Sequence, residues 1–463
     1  MIEFAIFQNG ANHMPSTEVN DVCFNDASLT ETHTARQQTL INQVRQGVLA
    51  DRLNFDYYFM TEHHFQPEGV EFSPNPLQAE TAIAALTKRI RLGQLANILT
   101  WHHPIRFAEQ IAMLDVISGG RVECGIGRGY QPREAEVLGA AFGSTVQDQE
   151  KNRSFYQEAF DIVMKAWTED SFSHHGEFFT LPPTYTKWHH KQTIEYYNQP
   201  GVGRTVDEVL KLGAPDMYSS ANLIPILAGT TTLREISVYP QPVQKPHPQI
   251  WEPLTSDRSI RWAAQRGINA FFVSEVNSRL RRNIDLYHDE SEKHGWPDRL
   301  DRGPLKRGWD ADQHRGVMVG RWVHVVGDGI GDATRADRAL QTQWDWYGPF
   351  GYAAVLSEQG EPPRDLHRRV TPDLVREKEI ALVGSKDYII EAIMRIKEEC
   401  GYDDFAFCSY FEMNGFSGAE TEEQMQYFSE EIMPVLRDAC GGSPAWPEST
   451  VDLDVGVRLR DGV

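Results

Sequence analysis

FDYYFMTEHHFQPEGVEF, residues 55 to 72, decides how the rest of the chain is read. Its opening, Phe55 to Met60, is an aromatic run with the composition of a β-strand. The run passes at once into Glu62, His63, His64 and Phe65. A strand that discharges directly into acidic and imidazole side chains is the pattern of an α/β barrel, whose active site is built on the loops after the C-terminal ends of its strands. Adjacent histidines also occur on ordinary surfaces, so this reading depends on what flanks them.

Outward from that stretch, strand-like and helix-like segments alternate. Upstream lie a strand at Ile2 to Gln8 and a helix at Thr34 to Leu53, with Leu40, Val44 and Val48 near one face. Downstream, Asn75 and Pro76 open a helix running to about Lys88, since proline at the first helical position forfeits no hydrogen bond. Ile90 to Leu99 is a third strand. A helix from His103 and Pro104 follows, ended by Gly119 and Gly120, and then a fourth strand, Arg121 to Gly127. In that strand Val122, Cys124 and Ile126 alternate with Glu123, Gly125 and Gly127, which predicts one apolar face and one face with room beside it. Further strands are predicted at Pro248 to Leu254, Ile268 to Val273, Val317 to Val326 and Phe405 to Tyr410, with helices between them. Eight strands alternating with helices predict an α/β fold closed as a (β/α)8 TIM barrel. The barrel domain is placed at residues 1–437, with an insertion or lid at 171–247 before strand five and a tail at 438–463. The insertion is rich in proline and aromatics and lacks a clear period.

The chain has 463 residues, 45 basic against 66 acidic, for a net charge of −21. Such a field disfavours nucleic acid and anionic membranes as partners. No apolar run approaches the roughly 18 residues that span a bilayer, and the start MIEFAIFQNG lacks the basic and long apolar regions of a signal peptide, so a cytoplasmic location is expected. Cysteines at 23, 124, 400, 408 and 440 are scattered without a CxxC pair, which argues for reduced thiols and against structural zinc. His174, His175, His189 and His190 lack the carboxylate spacing of a metal site, and no metal is expected.

Several candidates fall at one rim of the predicted barrel. They are Glu62, His63 and His64 after strand two, Leu95 to Ile98 ending strand three, Gly127 and Arg128 after strand four, and Thr255 to Ser259 after strand five. Ser256, Arg258 and Ser259 sit at a predicted helix N-terminus, where free N–H groups attract phosphate, although Ser256 also reads as a plain N-cap. The glycines of GIGRGYQ, at 125, 127 and 129, miss the GxGxxG dinucleotide spacing, because Tyr130 stands at the third position. They suit a flat ring lying on the backbone.

Taken together, EHHF at 62–65, SPNPL at 73–77, HPIRFAEQ at 103–110, LDVISGGR at 114–121, GIGRGY at 125–130 and WAAQRGI at 262–268 resemble the bacterial luciferase-like flavin-dependent monooxygenases. The likeness covers about residues 1–170, 246–295 and 381–436. It implies a barrel that takes reduced FMN from a separate flavin reductase and uses O2, through a C4a-hydroperoxyflavin, to oxygenate a small, apolar organic substrate. It assigns the catalytic role to His63. Cofactor contacts fall on Glu62, Leu95, Ala96, Asn97, Gly127, Arg128, Ser256 and Ser259, with a cis peptide between Leu95 and Ala96 and with Arg258 as an extra cation beyond the family pattern. It further implies a homodimer or higher homo-oligomer. Two departures stand out: Gly127 replaces a reactive cysteine of the luciferase α subunit, and Thr255 replaces a glutamate before the phosphate-site serine. The alternatives are an F420-dependent oxidoreductase transferring hydride and a non-catalytic flavin-binding partner subunit. The insertion's aromatics, Phe172, Phe178, Phe179, Tyr185, Trp188, Tyr196, Tyr197 and Tyr218, would wall a substrate pocket or pack against a partner.

Overall fold

Eight parallel strands close on one another in the computed structural model: β1 Ile2–Gln8, β2 Tyr57–Met60, β3 Arg91–Gln94, β4 Val122–Gly127, β5 Gln249–Pro253, β6 Asn269–Val273, β7 Val317–Val325 and β8 Phe405–Tyr410. The structure describes residues 1–451 except 12–13, 21, 189–195, 197–198, 204–211, 216–230, 297–315, 328, 349, 366–367, 402–404, 444–445 and 447. Each strand pairs with its sequence neighbour. The ring closes where Ile2 faces Phe405 and Phe4 faces Phe407, so all eight predicted strands are staves of one barrel. The principal helices are α1 Leu29–Arg52, α2 Pro76–Leu86, α3 Pro104–Ser118, α4 Gln149–Thr168, α5 Asp257–Gln265, α6 Asn277–Lys293, α7 Ala333–Tyr347, α8 Lys386–Cys400 and α9 Gly418–Tyr427.

Alternation along the strands fills the barrel with side chains. At the N-terminal end its interior is polar and hydrogen-bonded. Tyr57 OH donates to Glu3 at 2.9 Å, Trp251 Nε1 donates to Glu123 at 2.6 Å, and the Arg91 guanidinium bridges Glu123 and Gln244. Beneath this layer the tail turns inward. The Trp446 ring stacks edge-on to Tyr57 at 5.8 Å, lies 5.0 Å from the Arg91 guanidinium, and donates from Nε1 to Asp56 at 3.0 Å. The middle of the barrel is crowded. A Cβ on Gly125 would lie 1.4 Å from the Gln94 carbonyl oxygen, so the fourth strand carries glycine there because β3 backbone fills the space.

Local differences from the sequence expectations have identifiable causes. α1 begins at Leu29 rather than Thr34, because Ser28 and Glu31 form a reciprocal capping box. The loop after β1 contains a hairpin, Ser16–Val19 with Val22–Asn25, pinned to α7 by the Cys23 N–H to Asp345 bond at 3.0 Å and the Trp346 Nε1 to Cys23 carbonyl bond at 2.6 Å. A short strand, Ala381–Gly384, pairs with β7 outside the ring. Its four residues are too few to show a period in the sequence.

Contacts divide the chain into two compact units. The first, residues 1–98, 114–127 and 243–463, contains all eight staves. The second comprises residues 99–113 and 128–242. Within it, Phe178 and Phe179 pack on Phe155 of α4 at 5.2 and 5.4 Å, while Phe172 is buried and bridges to Ile236. Phe172 is therefore part of this unit's core, and Phe178 and Phe179 pack half-buried against α4. His174 is paired with Glu158 at 3.0 Å, and Glu158 also accepts the backbone N–H groups of Glu177 and Phe179, so the histidine is packed as a structural residue. Tyr197, Tyr218, His189 and His190 lie outside the described residues. No described helix is long and apolar enough to cross a membrane, and no described cluster of three His, Cys, Asp or Glu could hold a metal.

Candidate functional site

The loop after β2 folds back on itself. His63 and Ser73 exchange backbone hydrogen bonds of 3.2 and 3.4 Å, with Phe65 at a positive φ of 58° between them. This return brings Glu71, eight residues further along the chain, against His63. Glu71 Oε2 lies 3.5 Å from His63 Nδ1 and accepts from Gln66 Nε2 at 2.7 Å. Its Oε1 accepts from Asn9 Nδ2 at 3.2 Å and Tyr352 OH at 3.3 Å. Asn9, just past β1, in turn accepts from Thr61 Oγ1 at 2.8 Å. His63 is 8% exposed and Glu71 1%, so both sit at the rim largely out of water.

The neighbouring residues divide the labour. Glu62 Oε2 accepts the Ile98 backbone N–H at 2.7 Å, and Oε1 lies 3.4 Å from His64 Nε2. Its carboxylate thus ties the β2 loop to the segment beyond β3 and holds the second histidine, leaving the two imidazoles with different partners. The peptide between Leu95 and Ala96 is cis, as the resemblance implied. The third strand was expected to run unbroken to Leu99; it stops at Gln94 and resumes as Asn97–Ile98, paired with Ile126 and Gly127. Asn97 turns its amide into the framework, donating to Gln94 Oε1 at 2.8 Å and to the Gly125 carbonyl at 3.3 Å. A Cβ on Gly127 would meet Ala96 Cβ at 3.1 Å and Ile98 Cδ1 at 3.3 Å. The room expected beside Gly125 and Gly127 is thus taken up by the adjoining strand, wholly at Gly125 and in part at Gly127.

After β5, Ser256 caps α5. Ser259 N–H donates to Ser256 Oγ and Ser256 N–H to Ser259 Oγ, both at 3.2 Å. The plain N-cap reading is therefore realised. The same box places two hydroxyls and the exposed Arg258 around a helix N-terminus, which is a phosphate-compatible donor set. Asp257, the acid in that first turn, is engaged by Arg282, and this pairing holds its carboxyl below the usual range. Arg128 belongs to the second unit. Its Nη1 donates to Asn152 Oδ1 at 3.0 Å and to Gln149 Oε1 at 3.5 Å, and among the described residues it has no carboxylate partner.

Two carboxyls escaped the sequence reading. Glu71 lies within the stretch that opened it, but only the backbone return at Ser73 reveals what it faces. Glu412 follows β8, where the rule that barrel sites sit after strand ends would have found it. It accepts the N–H of Gly10 at 2.9 Å and that of Asn9; burial pushes its carboxyl up to about 8, while those backbone donors pull the other way. With Gln8, Gln43 and Phe416, Glu412 lines a cavity of about 470 Å³ beside α1, and none of the predicted site residues reaches that cavity.

A barrel with buried polar groups on the loops after its strands is the architecture of a TIM-barrel enzyme. Residues 22–202 match the family described as luciferase-like monooxygenase. The chain is 23% identical over 438 residues to the alkanal monooxygenase alpha chain of Photobacterium leiognathi, covering 91% of this chain and 99% of that one. It is 22% identical over 402 residues, 84% of this chain and 88% of the relative, to the oxygenase component of the flavin-dependent trigonelline monooxygenase of Acinetobacter baylyi. The crystal structure of monooxygenase RslO1 from Streptomyces bottropensis superposes with a TM-score of 0.61 at 20% identity, covering 94% of this chain and 99% of that one. By these matches the chain is similar to luciferase-like monooxygenases in sequence and in fold.

Proposed function

We propose that this chain is the oxygenase of a two-component flavin-dependent monooxygenase. It takes reduced FMN from a separate reductase, and O2, and oxygenates a small apolar organic molecule. The observation that carries this reading is the occurrence, in one compact unit, of buried His63 at the barrel rim and the α5 N-terminus dressed with Ser256, Arg258 and Ser259. The donor set suits a phosphate, and the backbone from Leu95 to Asn97 beside Gly127 suits the face of a planar ring.

Bound reduced flavin supplies the electrons that activate O2. The chain's own residues do the rest. His63, an imidazole at the rim, moves a proton at the reacting centre. Glu62, through the Ile98 N–H, keeps the β2 loop against the ring-binding segment. Trp322, Tyr347, Tyr352 and Tyr410 pack together, Trp322 to Tyr410 at 5.0 Å and Tyr347 to Tyr352 at 4.6 Å, and this aromatic wall supports an apolar substrate and the exclusion of water. The family likeness also supports a homodimer or higher homo-oligomer.

Anaerobic protein with one equivalent of reduced FMN is mixed with O2 and followed by stopped-flow absorbance. A transient spectrum distinct from both reduced and oxidised FMN, slowed in decay by the protein, is expected. Oxidation at the rate of free FMNH2, together with hydride transfer from reduced F420 without O2 uptake, would replace this reading with the dehydrogenase alternative.

A further inference from the structure

We infer that Glu71 is a positioning residue that holds the His63 ring proton on Nδ1, so that the imidazole offers Nε2 as its basic nitrogen. The inference rests on the catalytic reading of His63 given above and adds to it the state of the ring. A neutral imidazole is a donor at one nitrogen and an acceptor at the other, and which is which follows from the partner of the nitrogen that carries the proton. Here the partner at Nδ1 is an acceptor, Glu71 Oε2, at 3.5 Å. That distance lies at the outer edge of hydrogen bonding, as polar contacts in unliganded active sites commonly do before a ligand tightens them.

The carboxylate is well placed to impose a tautomer because it cannot easily turn away. Gln66 Nε2 holds Oε2, while Asn9 Nδ2 and Tyr352 OH hold Oε1. These donors come from the β2 loop itself, from the end of β1 and from the segment after α7, so the position of Glu71 is set by three separate parts of the barrel rim. The His63 to Ser73 backbone exchange fixes the other side of the pair, since it sets the span of loop between imidazole and carboxylate. His64, next in sequence, has its Nε2 facing Glu62, which sits on a different backbone anchor. Only one of the two histidines therefore receives an acceptor at Nδ1 from Glu71.

The test reads the ring directly. Full-length protein labelled with 15N-histidine is examined by two-bond 15N–1H correlation, and His63 is assigned by the signals lost in His63→Asn. The wild type is expected to show Nδ1 protonated and Nε2 unprotonated in its neutral form. Glu71→Gln, which keeps the shape, is expected to yield a mixture or the Nε2–H form, and Glu71→Asp to restore part of the Nδ1–H population. With reduced FMN and O2, kcat in Glu71→Gln is expected to fall about 10- to 100-fold with substrate KM little changed. A wild-type ring protonated at Nε2, or an unaltered tautomer in correctly folded Glu71→Gln, overturns the inference. A tautomer that follows Glu71, with turnover indifferent to His63→Asn, upholds the positioning and sinks the catalytic reading instead.

Discussion

Glu412 shows how one buried acid sets a pH response. Its carboxyl titrates at about 8 in the folded protein against 4.5 in an unfolded chain, because burial disfavours its charge more than the Asn9, Gly10 and Ala11 N–H groups favour it. The folded state holds this proton more tightly, so the contribution to stability is complete below about 4.5 and is lost as pH rises through about 8. Glu412→Gln keeps a donor and an acceptor without the titration. Urea unfolding from pH 5 to 9 should show the variant gaining on the wild type by up to about 1.4 kcal/mol per pH unit inside that window. At the other carboxylate-lined corner, His63→Asn is expected to lower flavin-dependent turnover by about 10²- to 10⁴-fold while leaving the thermal midpoint near the wild-type value. The position of His63 on the loop after β2 was legible in the sequence because it follows an aromatic strand directly. Glu71 and Glu412 were not, because their meaning lies in contacts across a loop return and across the first and last strands.

Single elements show why pattern alone carried the eight staves. Strands such as Tyr57–Met60 and Asn269–Val273 are buried almost throughout, so they read as continuous apolar runs bounded by loops. The glycines of β4 were harder, since a missing side chain looks the same whether it admits a ligand or a neighbouring backbone. Gly125→Ala discriminates: a methyl 1.4 Å from the Gln94 oxygen cannot be housed, and the variant is expected to lose more than about 3 kcal/mol or fail to fold, read by circular dichroism and melting. The α5 box carries both the structural and the binding reading. Ser256→Ala is expected to lose about 1 kcal/mol of stability through the cap. If phosphate lies there, fluorescence titration will show FMN affinity falling in the same variant and riboflavin affinity unchanged.

For the whole molecule, the tail is part of the barrel's base. Trp446→Ala removes a ring that covers Tyr57 and Arg91 and leaves Asp56 without one of its donors, and should lower stability by about 2 kcal/mol in chemical unfolding with little effect on binding at the proposed flavin site. Composition alone read this segment as an appendage, because Gly, Pro and Asp give no period and a single tryptophan gives no pattern. The same base dictates an order of events during synthesis. Ile2 donates to the Gly442 carbonyl, β1 waits for β8 as its second neighbour, and Ser449 bonds the Lys88 carbonyl. The ring can therefore shut only after β8 has been made. Until then the edge of β1 that β8 will cover has no strand beside it, and closure of the barrel rests on a contact between residues about four hundred positions apart, the kind of non-local pairing that slows folding.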